Sequence, residues 1–83
     1  MEMWVKIGDK VTKFQGSMYS VVSQLVEKAS DAKDVKLMCW HAGQKERRRL
    51  KREFRAAGRD LVKMAVNLKK WFESKKTKGY ATN

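Results

Sequence analysis

Two sets of apolar residues in this chain are spaced by strictly alternating threes and fours, and that spacing constrains its fold more than any other feature. Trp4, Ile7, Val11, Phe14, Met18, Val21 and Leu25 form the first set, and Leu50, Phe54, Ala57, Leu61, Met64, Leu68 and Trp71 the second. At 3.6 residues per turn each set makes one stripe along a helix. Proline, the residue most disruptive to a helix interior, is absent. The spacing therefore predicts an all-α fold: two long amphipathic helices forming a hairpin with a short middle element.

The second helix is expected from about Lys45 to Lys76, a segment rich in Leu, Ala, Lys, Arg and Glu. Gly58 is its weak interior residue, costing about 1 kcal/mol relative to alanine. The first is expected from Asp9, as N-cap, to Ala29. Gly8-Asp9 also suits the two-residue turn of a β-hairpin, with glycine at the first central position. The helix is preferred because the hairpin register mixes lysines with apolar residues on both of its faces. Between the stripes, Ser30, Asp31 and Asp34 are start signals for a short helix burying Val35, Met38, Cys39 and Ala42. Alternation of Val35, Leu37 and Cys39 allows a short strand instead. Gly43 suits the left-handed position after a helix end. Residues 1–75 read as a single small helical domain and 76–83 as a basic flexible tail.

A chain of 83 residues buries a smaller share of its surface than a larger domain, and a two-helix hairpin leaves much of each stripe wet. A third helix, or a homodimer resembling a four-helix bundle, is the expected remedy, and a homodimer is the partner expected. The lone cysteine, Cys39, offers no internal disulfide, and the start MEMWVKIGDK does not resemble a signal peptide. The longest apolar run, LMCW at 37–40, is far below the ~20 residues that span a bilayer. A cytoplasmic protein away from membranes is expected.

Charge is distributed unevenly. Twenty Lys and Arg oppose nine Asp and Glu, a net +11. Residues 1–44 carry +1, residues 45–59 carry +6, and residues 60–83 carry +4. All six arginines fall within RRRLKREFRAAGR, residues 47–59. On a continuous helix, Lys45, Arg48, Arg52, Arg55, Arg59, Lys63 and Lys70 collect opposite the apolar stripe, with Arg47 and Arg49 at its flanks. Arg48 to Lys70 then covers ~33 Å, close to one turn of B-DNA. Solvated faces commonly alternate sign, whereas like charges at Arg48, Arg52 and Arg55 repel by a few tenths of a kcal/mol per pair. Stability does not account for them. Arginine's planar fork donates paired hydrogen bonds to phosphate or guanine, which lysine cannot do.

Other motifs carry less. A helix-turn-helix with Gly43 in the turn would place Arg49 where an apolar residue belongs. Trp4 and Trp71 fall on the stripes and are expected in the core, which leaves Trp40 as the exposed tryptophan. Cys39 and His41 have no second Cys or His to complete a metal site. No nucleophile–base pair or glycine-rich phosphate loop is evident, so neither catalysis nor a cofactor is expected. These features point to a small basic regulatory or architectural protein binding nucleic acid, DNA before RNA, through its arginine face. The alternative is a regulator or inhibitor, of accessory or phage type, docking that helix on an acidic surface of a larger enzyme such as a polymerase or nuclease.

Overall fold

The computed structural model describes residues 1–81, with side chains through residue 75. Its elements run β1 (Glu2–Ile7), β2 (Lys10–Gln15), α1 (Met18–Ala29), β3 (Val35–His41), α2 (Gln44–Ala56) and α3 (Leu61–Ala81). The all-α expectation is overturned: three strands form an antiparallel sheet ordered β2-β1-β3. β2 and β3 both run antiparallel to β1 and hence parallel to each other. α1 carries the chain across the sheet between them.

The predicted helix from Asp9 to Ala29 is instead a strand followed by a shorter helix. Ile7 pairs with Lys10, so Gly8 and Asp9 are the whole hairpin loop. Gly8 has φ +64° and Asp9 does not have positive φ, the pattern of a type II′ turn whose twist matches the flanking strands. The deciding periodicity is two. Met3, Val5 and Ile7 face inward, with Met3 and Val5 fully buried, while Glu2, Trp4 and Lys6 face the other way. Alternate threes and fours through Trp4, Ile7, Val11 and Phe14 therefore link residues on opposite faces. Only Phe14, Met18, Val21 and Leu25 of the first stripe are buried. Ser17 starts α1, its Oγ accepting a hydrogen bond from the Ser20 N–H at 3.1 Å.

The middle segment is the strand alternative, not the short helix. The register shifts between Trp4 and Val5, opposite Met38. Because of that bulge Val35, Leu37 and Trp40 face the core, while Lys36, Cys39 and His41 face out.

The second stripe is real but bends. Gly58 and Arg59 adopt consecutive left-handed conformations, φ +66° and +65°, and end α2. Asp60 then starts α3, its Oδ1 accepting from the Lys63 N–H at 3.1 Å. Gly43 precedes α2 in extended conformation instead of following a helix. Its N–H donates to Glu46 Oε1 at 3.2 Å, one arm of a capping box.

One face of the sheet and the apolar faces of α1, α2 and α3 close a single core, including Met3, Phe14, Leu25, Leu50, Met64 and Leu68. The buried members of both stripes thus find cover within one chain, through the sheet. Among the described residues no helix covers the other face of the sheet, where Lys6, Val11, Lys13, Lys36 and Cys39 are exposed. The side chains of the basic tail expected at 76–83 lie outside the described residues.

Candidate nucleic-acid interface

The arginines divide according to the helix that carries them. On α2, Leu50 is fully buried and Phe54 half-buried, fixing the inner side. Lys45, Arg47, Arg48, Arg52 and Arg55 are exposed on the same 13-residue helix, which is ~20 Å long at 1.5 Å per residue. Gln44, Arg47, Arg48 and Lys51 bound a cleft of about 240 Å³. Among the described residues no arginine forms an ion pair with a carboxylate; the pair present is Lys13 with Glu2, at 3.3 Å. Both acids of α2 are half-buried at its inner flank, and Glu46 is engaged by the Gly43 N–H. The cationic side of α2 is therefore left uncompensated.

Four predicted site residues are placed otherwise. Arg49 is half-buried, with its guanidinium 4.0 Å from the centroid of Trp71, so it clamps α2 to α3 by cation–π stacking. Arg59 lies in the left-handed linker, where its backbone makes the turn. Lys63 and Lys70 are exposed on α3, beyond the break at residues 57–60. The continuous 33 Å line of cations does not exist.

Two further surfaces escaped the helical reading. A groove of about 340 Å³ lies between the start of α1, α2 and α3, walled by Tyr19, Trp71 and Phe72 with Lys45 and Arg49 beside them. Trp71, expected in the core, is 38% exposed there. The second is the uncovered sheet face, where cross-strand partners form three rows: Val11–Lys6–Lys36, Lys13–Trp4–Cys39 and Gln15–Glu2–His41. Trp4 holds the centre and not the core. The Lys13 Nζ is 5.5 Å from its ring centroid, and His41 meets it edge-on at 5.2 Å. Trp40, expected to be the exposed tryptophan, packs inward against Phe54 with centroids 6.3 Å apart. The sequence signal for this face was the period-two alternation of Met3, Val5 and Ile7 with Glu2, Trp4 and Lys6.

Among the described residues no helix is long and apolar enough to cross a membrane.

The chain is similar to a protein of Aquifex aeolicus (strain VF5) described as an uncharacterized protein, 47% identical over 72 residues. The match takes in 87% of this chain and 56% of that relative, so the chain spans little more than half of its relative's length. No family model matches, and no solved structure matches.

Proposed function

We propose that the protein binds nucleic acid in a regulatory or architectural role, holding phosphates with the outer side of α2. The observation that carries this reading is the set of exposed cations at 45, 47, 48, 52 and 55 with no carboxylate paired to its arginines among the described residues. Guanidinium groups crowded on one helix repel one another and contribute nothing to the core. A phosphate backbone removes that repulsion and releases counterions as it binds. The preference for duplex DNA rested on an unbroken 33 Å face, and the turn at Gly58–Arg59 removes that support. We place the protein in the cytoplasm, in keeping with its single unpaired cysteine.

Titrating a labelled oligonucleotide across salt concentrations tests the reading. Several phosphate contacts give a slope of log K against log salt of roughly −3 or steeper. A slope near zero, or no binding at low salt, rules it out.

The aromatic groove favours a second reading. Tyr, Trp and Arg are the residue types concentrated at protein-binding hot spots, and Tyr19, Trp71 and Arg49 meet there beside the basic helix. An acidic protein partner seated on that groove would remain associated after nuclease treatment, whereas a nucleic-acid tether would not.

A further inference from the structure

We infer that the uncovered sheet face is a stacking platform for the bases of single-stranded nucleic acid, centred on Trp4 and continuous with α2. This rests on the phosphate-binding reading above and adds which form of nucleic acid is bound and where its bases go.

The first observation is the placement of charge. Lys6 and Lys36 are direct cross-strand partners on this face, an arrangement of like charges that destabilises a sheet. Lysines on edge strands commonly guard against unwanted strand pairing, which accounts for Lys13 on β2 and Lys36 on β3. Lys6 is on the central strand, where there is no edge to guard. Glu2 is the carboxylate of this face, and it is already engaged by Lys13. Lys6, set directly against Lys36, is therefore a cation that folding does not explain and an anion would.

The second is the aromatic centre. A tryptophan on the solvent side of a central strand, with Met3 and Val5 alternating into the core beside it, is not needed for packing. Lys6 lies two residues along the same strand, ~7 Å away. One nucleotide can thus lay its base on Trp4 while a neighbouring phosphate meets Lys6 and Lys36. Aromatic side chains beside cations are the general means of holding single strands, because every base has a π-face. A duplex keeps its bases stacked inside and offers none to a flat sheet. Trp71 is less suited to this role, since two cations stand against its ring, Arg49 at 4.0 Å and Lys75 at 5.1 Å, whereas Trp4 has one, Lys13 at 5.5 Å.

The third is continuity. His41, edge-on to Trp4, also borders a cleft of about 280 Å³ with Trp40, Ala42 and Arg47. Arg47 belongs to the exposed side of α2. A strand leaving Trp4 past His41 meets Arg47 and then the cleft of Arg48 and Lys51, so the two basic surfaces form one path around the β3–α2 corner.

The test compares three labelled probes of about 12 nucleotides on the full chain at fixed salt: a single strand, the same strand as a duplex, and an abasic strand with the same number of phosphates. RNA and DNA versions of the first distinguish the two sources of single strand. The single strand is expected to bind roughly tenfold or more tighter than the abasic one. Trp4→Ala should abolish that difference and Trp4→Phe restore most of it. Equal binding of the single and abasic strands by the unaltered protein overturns the platform while leaving phosphate binding intact. Duplex bound more tightly than single strand overturns it as well, as does a preference that survives Trp4→Ala. Failure to bind any probe overturns both readings. The abasic comparison needs no substitution, so a folding defect in a variant does not decide the outcome.

Discussion

Individual residues set the turn that divides the basic segment. Gly58 has φ +66° and an added Cβ there meets nothing within 4 Å. The cost of Gly58→Ala is therefore one of backbone conformation, about 1–2 kcal/mol, and urea denaturation should show that loss. Arg59 already bears such a cost at φ +65°, so Arg59→Gly is expected to leave stability equal or higher. A β-branched replacement, Arg59→Val, should lower it. Ser23 gives the opposite case: its Oγ is buried without a hydrogen-bond partner among the described residues. An unsatisfied hydroxyl costs energy and alanine is the better helix former. Ser23→Ala should raise stability by about 1 kcal/mol in the same assay; a loss of that size would mean the hydroxyl has a partner. Gly58 was visible in the sequence only as a weak residue in a helix. The fuller signal was the succession Gly58-Arg59-Asp60, a left-handed stop followed by an N-cap, which the uninterrupted apolar spacing across it concealed.

At the scale of elements, the helical stripe was legible wherever helices pack on one another. Met18, Val21 and Leu25 on α1, and Leu61, Met64 and Leu68 on α3, are all buried at the spacing the sequence shows. It failed in the first fifteen residues because a two-residue and a 3.6-residue period pick out overlapping sets in so short a stretch. Ile7 and Phe14 satisfy both, and only pairing with a strand 20 or more residues away decides between them. Lys6 and Lys13, two of the lysines that argued against a hairpin, make its outer face basic, so much of the pattern read as a misfit belongs to the candidate site. The second stripe also ran one step too far, from Leu68 to Trp71. Leu68→Ala should cost about 2–5 kcal/mol, because the side chain is 1% exposed in the core. Trp71→Ala should cost clearly less, since the residue is 38% exposed and its ring contacts, with Arg49, Phe72 and Lys75, lie at the surface groove and not in the core. Thermal or urea denaturation of the two variants side by side checks the order; equal losses would place Trp71 in the core after all.

For the whole molecule, the question is whether +11 acts as a diffuse field or through defined surfaces. A diffuse field attracts polyanions whichever cations supply it, and neutralising any three should then weaken binding alike. Defined contacts predict unequal effects. Arg48, Arg52 and Arg55 lie three and four residues apart on the outer side of α2, and no described carboxylate pairs with them. Replacing all three by glutamine should reduce the salt slope by roughly two units on single strands, at about 0.7 per phosphate contact. Stability should rise by a few tenths of a kcal/mol as their mutual repulsion is lifted. Replacing Lys10, Lys28 and Lys33 by glutamine removes the same charge from the exposed ends of β2 and α1 and from the loop after α1. That variant should bind more weakly through the general field while keeping its slope within about half a unit of the original. The comparison is read by anisotropy titrations at several salt concentrations for the three proteins. Equal slopes for the two variants would reduce the arginine side of α2 to ordinary surface charge, while a loss confined to the arginine variant would assign it the phosphates.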